Sequence, residues 1–163
     1  MEATDKGIIN LSLGSDFSQI VNNAANGAVD DGHLLVVAAG NDDTNVADVS
    51  PASAKKAITV AATNRKNMKS AFSNYGKAVD LFAPGVGCKV ADLNSNKYTT
   101  NDGTSFSAPL VSGVAACIQS QYDLNFDEDA PKKITKILLN ATSPEVTPPT
   151  GTTNRLLYWK NCE

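Results

Sequence analysis

The chain has 163 residues and a net charge of -3, with 42% of its residues hydrophobic and 19% charged. That length suffices for one domain with its own core, and the acidic balance argues against a nucleic-acid binder, whose footprint would be a basic face. No apolar run reaches the roughly 18 residues that span a bilayer. Residues 1–6 lack the basic-then-apolar pattern of a leader, as expected of a chain that is not exported in this form or whose true N-terminus lies upstream.

In chain order, residues 7–14 predict a short buried strand ending at a glycine turn. Ser15-Asp16 is expected to cap a helix whose apolar positions are Ile20, Val21, Ala24, Ala25, Ala28 and Val29, with Gly32 ending it. Residues 34–39 and 57–62 are two more continuous apolar runs. His33, at the start of the first of them, is expected to be a structural residue rather than a ligand or base. Residues 64–101 read as loop-rich, with strands at 78–82 and 88–93. A long helix is expected from 105–107 to about Tyr122, packing Leu110, Val111, Val114, Ala115 and Ile118, with Gly113 allowing close approach and Pro109 harmless in the first turns. Asp129-Ala130-Pro131 opens a last helix through Ile134, Ile137 and Leu138, and residues 142–153, rich in Thr and Pro, predict a surface loop. Strand, helix and strand with continuous apolar strands mark an α/β fold, a parallel sheet with helices on both faces.

Gly103-Thr104-Ser105 places a serine between a flexible turn and a helix start. Such a turn exposes the hydroxyl, and free N–H groups at the helix start favour negative charge nearby, as acyl transfer requires. It is not the nucleophile elbow of α/β-hydrolases, because Ser107 stands where that motif needs glycine. Asn41, leaving an apolar strand through Gly40, points toward the crevice where α/β folds bind ligands, and its amide can donate to an oxyanion. Read singly, the serine is a helix cap and Gly-Asn is a turn. Cys88, Cys117 and Cys162 have no metal-site spacing and read as three free thiols, with one disulfide left open. Asp127-Glu128-Asp129 reads as a solvated cluster at a helix start.

Asn10-Leu11-Ser12-Leu13-Gly14, Ala38-Ala39-Gly40-Asn41, Ser50-Pro51-Ala52-Ser53, Phe72-Ser73-Asn74-Tyr75-Gly76, Phe82-Ala83-Pro84-Gly85 and Gly103-Thr104-Ser105 occur in the order found in subtilases. Over residues 7–160 the chain resembles the proteinase K and cerevisin branch of that family. The resemblance implies a subtilisin-like three-layer fold, here its C-terminal portion, and a serine endopeptidase. Ser105 would be the nucleophile, and Asn41 with the Ser105 N–H the oxyanion donors. Ser12, Leu13 and Gly14 would pair with an extended peptide substrate, and Ala38, Ala39 and Gly40 would wall a pocket for a large apolar side chain, with Thr104 beside them. A structural calcium would sit on the carbonyls of Lys55 and Ala57 and the carboxylate of Asp80, with no cofactor needed for the chemistry. The family also implies a secreted or vacuolar setting.

The family order of Asp, His and Ser puts the first two upstream of residue 7, and the one histidine here, His33, matches a strand position. Leu110 replaces a histidine common after the family's Ser-Pro, one that is not the base. A serine without its base is a poor nucleophile; in subtilisin itself, losing the histidine alone removes roughly a millionfold of rate. The chain alone is therefore expected to be inactive or very weak, unless an N-terminal half supplies Asp and His. The alternative is a pseudoprotease that binds peptides without cutting them. The strand at residues 7–12 should leave an open apolar sheet edge, to be covered by such a half or by a dimer. Of two glycosylation motifs, Asn10-Leu11-Ser12 is expected to be buried, whereas Asn140-Ala141-Thr142 can be modified on the secretory route.

Overall fold

Residues 6–124 and 129–160 are described by the computed structural model. Four parallel strands, β1 (Ile8–Leu11), β3 (Leu34–Ala38), β5 (Ile58–Thr63) and β6 (Leu81–Pro84), form one sheet in the order β1-β3-β5-β6. Every residue of β3 and β5 is buried, which is why β3 is apolar throughout and β5 is apolar apart from Thr59 and Thr63. Side chains alternate across the sheet. Leu34, Val36, Ile58, Val60 and Leu81 pack under α2 (Thr104–Gln121), on its Ala108, Val111, Ala115 and Ile118. Ile134 and Leu138 of α3 (Ala130–Asn140) join that core. On the other face Leu35 and Val37 meet Ala25 of α1 (Gln19–Asp30), while Ala61 and Phe82 meet Val46, Val146 and Leu156. Helices cover both faces, as expected for three layers. Burying one side chain the size of Ile118 stabilises such a layer by about 2 kcal/mol.

The two sheet edges differ. Beyond β6, the tail runs alongside: Phe82 N–H donates to Arg155 O at 2.8 Å and Leu157 N–H to Phe82 O at 2.7 Å. The stretch expected as a surface loop therefore buries Val146 and leads into Leu156, both part of the core. Among the described residues β1 pairs only with β3, its Ile8, Ile9 and Leu11 are half-buried, and Ile20 of the neighbouring α1 is 82% exposed.

Several local expectations give way to tertiary pairing. Ser15-Asp16 does not cap α1; it forms β2 (Ser15–Asp16), antiparallel to β4 (Val49–Ser50), and Ser18 is the cap. Of the six apolar positions read on α1, only Ala25 is fully buried, alongside Asn22, whose Nδ2 donates to Ser53 Oγ at 2.9 Å. The helix stops as expected at a turn where Gly32 has φ +92°. The strand expected at 78–82 lies at Leu81–Pro84. β7 (Cys88–Ala91) has an antiparallel partner, β8 (Tyr98–Asn101), that the sequence did not announce. On α2, Leu110 is 45% exposed and Gly113 faces open space, so neither packs as expected. Pro109 lies inside the helix, beyond the first turn. Cys88 is a free thiol, whereas Cys162 and the Asp127-Glu128 pair lie outside the described residues. Asn10 is exposed rather than buried.

Candidate active site

All the catalytic candidates lie at the C-terminal ends of the parallel strands, where α/β sheets open their crevice. β1 runs into Ser12, β3 into Gly40-Asn41, and α2 starts at Thr104 just after Gly103. Gly103 holds φ 156° and ψ 153°, a backbone region used almost only by glycine, and its N–H donates to Gly85 O at 2.8 Å. Thr104, expected beside the substrate, is fully buried and instead aims Asn41. Its N–H and its hydroxyl both donate to Asn41 Oδ1 at 2.9 Å, and the same hydroxyl accepts the Gly40 N–H at 3.1 Å. Because the backbone donor demands an oxygen, the amide orientation is fixed and Nδ2 faces outward. Among the described residues Nδ2 has no acceptor, and neither does the Ser105 N–H. Two donors beside one serine are what a developing oxyanion needs.

The turn carrying Asn41 is organised by Asn74, which the sequence reading placed only as part of a motif. Asn74 is fully buried; its Oδ1 accepts the N–H groups of Asp42 and Thr44, both at 3.0 Å, and its Nδ2 donates to Ala39 O at 2.9 Å. Gly40 has φ +101°, and a Cβ there would collide with Asn74 Nδ2. Gly85 and Ser107 dock the Ser105 turn in the same way. Ser107 Oγ donates to Ala83 O at 3.0 Å, and Gly85 is packed against both Ser107 and Gly103.

Ser105 is half-buried, and its Oγ donates to Ser12 O at 3.3 Å. No histidine or carboxylate bonds to it among the described residues. His33 lies at the opposite end of β3, where its Nδ1 accepts the Gly7 N–H at 3.1 Å, a structural role. A pocket of 470 Å³ lies beside Asn41, lined by Gly14 and Gly40 and by Asp16, Asp42 and Asp48, with Val49 as its one bulky apolar wall. Ala38 and Ala39 are buried in the sheet and do not line it. This pocket has an acidic rim, where an apolar one was expected beside Gly40. Leu13 is 60% exposed at the mouth of the cleft.

Away from the serine, Lys55, Ala57 and Asp80 line one pocket of 650 Å³, together with Lys77. Asp80 Oδ2 accepts the Thr59 N–H at 2.7 Å. Burial pushes the Asp80 carboxyl up to about 6 against the pull of the Thr59 N–H and Arg155. Desolvation disfavours the charged carboxylate there, and an oxygen-only donor set of one carboxylate and two carbonyls is of the kind that suits calcium.

Comparison with known proteins agrees with this geometry. Residues 2–157 match the Subtilase family. The chain is 41% identical over 155 residues to Alkaline protease 1 of Aspergillus clavatus, covering 94% of this chain and 38% of that protein. It is 42% identical over 156 residues to Alkaline proteinase of Hapsidospora chrysogena, again 94% of this chain and 38% of the relative. A cold-adapted subtilisin-like serine proteinase superposes with a TM-score of 0.89 at 36% identity, covering 98% of this chain and 57% of that one. The chain thus spans well under half the length of the curated relatives it matches.

Proposed function

The chain belongs to the subtilase family, and on that premise we propose that it is the nucleophile-bearing part of a serine endopeptidase. Ser105 attacks the scissile carbonyl, and Asn41 Nδ2 with the Ser105 N–H stabilises the oxyanion. The observation that carries the reading is the pair of hydrogen bonds from Thr104 that turn the Asn41 amide outward beside Ser105. The base and its orienting carboxylate come from a further segment, of the same polypeptide or of a partner, that pairs with the open edge of β1. A substrate peptide lies extended along Ser12-Leu13-Gly14, and the acidic rim of the neighbouring pocket disfavours an acidic side chain there. The test is peptide hydrolysis by this chain assembled with the Asp- and His-bearing part of a relative. Turnover that vanishes in Ser105→Ala supports the reading; turnover that persists in Ser105→Ala refutes it. In the same assembly Asn41→Ala should lower kcat about a hundredfold with KM little changed, since the donor acts on charge that forms in the transition state.

One observation favours a second reading. The Ser105 hydroxyl is spent on the Ser12 carbonyl, so a chain acting alone is a peptide-binding module. Peptide affinity unaffected by Ser105→Ala, with no turnover in any assembly, would select it.

For Asp80 we propose a calcium site completed by the Lys55 and Ala57 carbonyls, where the ion has to compete with the pull of the Arg155 charge on the same carboxylate. A carboxyl whose folded value is raised from 3.8 to about 6 contributes stability that is present below 3.8 and lost as pH rises through 6. Thermal melts should therefore show Tm falling across that window, calcium should restore it at neutral pH, and Asp80→Asn should abolish both effects. A calcium-independent Tm at neutral pH would remove the site. The exposed Asn140 of Asn140-Ala141-Thr142 is compatible with the secretory or vacuolar setting we propose. No helix among the described residues is long and apolar enough to cross a membrane.

A further inference from the structure

Pro109 lies inside α2, four residues after Ser105. An α-helix normally satisfies the carbonyl of residue i with the N–H of residue i+4, and proline has none. The nucleophile's own carbonyl is therefore left without its helical donor. The structure supplies one from another element: Ser12 Oγ, just past β1, donates to Ser105 O at 2.9 Å. Ser105 Oγ returns a bond to Ser12 O at 3.3 Å, so the two serines clasp each other across 93 residues of sequence.

The hydroxyl of Ser12 could point its proton elsewhere, and Asn10 prevents that. Asn10 Nδ2 donates to Ser12 Oγ at 2.9 Å, which leaves the hydroxyl proton free for Ser105 O. Asn10 Oδ1 in turn accepts from Ser112 Oγ, two turns along α2, at 3.0 Å, a proton that Ala108 O also attracts at 3.2 Å. A flipped Asn10 amide would draw the Ser12 proton to itself and leave the Ser105 carbonyl unpaired, so Pro109 decides the direction of the whole relay.

We infer that Asn10 is a positioning residue: acting through Ser12, it stands in for the donor that Pro109 removes and fixes the backbone of Ser105. The inference rests on the protease reading for its catalytic consequence, though not for the clasp itself. Pro109 is then part of the device rather than a neutral helix-start residue, because a helical N–H at that position would compete for the same carbonyl.

The near-isosteric Asn10→Asp tests this, since a carboxylate accepts where the amide donates and reverses the Ser12 hydroxyl while keeping the shape of an exposed side chain. In the chain alone, the carbonyl carbon resonance of Ser105 should move upfield in Asn10→Asp and Ser12→Ala, stay in place in Ser12→Thr, and leave Val111 and Ile118 unmoved. An unchanged Ser105 resonance in Asn10→Asp would overturn the clasp. In the chain assembled with the Asp- and His-bearing part, Asn10→Asp should lower kcat about tenfold, the equivalent of one hydrogen bond, with KM unchanged and Ser12→Thr retaining activity. Wild-type kcat in Asn10→Asp would overturn the positioning role. An inert wild-type assembly would overturn the protease reading and the catalytic consequence with it, while the carbonyl shift would still decide the clasp.

Discussion

Replacing Asn74 with alanine is expected to destabilise the fold by about 4 kcal/mol, the largest stability loss of any single polar substitution near the site. Its side chain satisfies two backbone N–H groups of the Asn41 turn, those of Asp42 and Thr44, and one carbonyl, that of Ala39. Each buried group left unpaired costs about 1–3 kcal/mol, and the cavity adds to this. In a chain of this size such a loss lowers Tm on the order of 10 °C. Asn74→Asp should be nearly as damaging, because it keeps the acceptor but sets a carboxylate oxygen against the Ala39 carbonyl. Urea melts of the two variants measure the effect, and a loss under about 1 kcal/mol in both would mean that the turn is held by other contacts. Activity should fall further than stability, since the same turn carries Asn41.

Gly85→Ala should destabilise by about 3 kcal/mol and displace the nucleophile turn. A Cβ at this buried position would collide with Ser107 Oγ and lie 2.7 Å from Ala62 Cβ and 2.8 Å from Gly103 O. Two of those three neighbours cannot rotate away, so strain falls on the backbone, as in overpacked cores. The carbonyl of Gly85 also accepts the Gly103 N–H, so the shift is delivered to the residue that starts the nucleophile turn. A melt close to wild type with intact reactivity of Ser105 would show that the strand end and the turn move independently.

The contrast between these residues and the expected ones explains what was legible. Residues 34–39 and 57–62 announced β3 and β5 because a strand buried on both faces is largely apolar, and the one polar side chain in these two runs, Thr59, satisfies its hydroxyl on Ala52 O. Tyr98–Asn101 is exposed along its whole length, so no pattern marked β8, and only its pairing with β7 makes it a strand. Ser15-Asp16 has the composition of a cap, yet pairing with Val49–Ser50 overrides that local preference. At the site, Ser105 and Asn41 drew notice because each follows a turn and carries reactive or donating atoms. Singly they read as a cap and a turn, and only the ordered motifs resembling subtilases gave them roles. Asn74, Gly85 and Asn10 gained none, since they act through partners that lie far off in sequence or, like the orphaned Ser105 carbonyl, through a group that another residue fails to satisfy. Pro109 shows the limit most plainly: helix-start preference treats its missing N–H as harmless, and only the helix boundary at Thr104 shows whose carbonyl it abandons.

The central claim, a prepared nucleophile that lacks only its base, is tested most directly by labelling Ser105 with a fluorophosphonate probe, using Ser105→Ala as the control. The account predicts no labelling of the chain alone and labelling at Ser105 once an Asp- and His-bearing part of a relative is added. Labelling of the isolated chain would mean that a base within it reaches Ser105, and failure to label in either condition would mean that this serine is not a nucleophile.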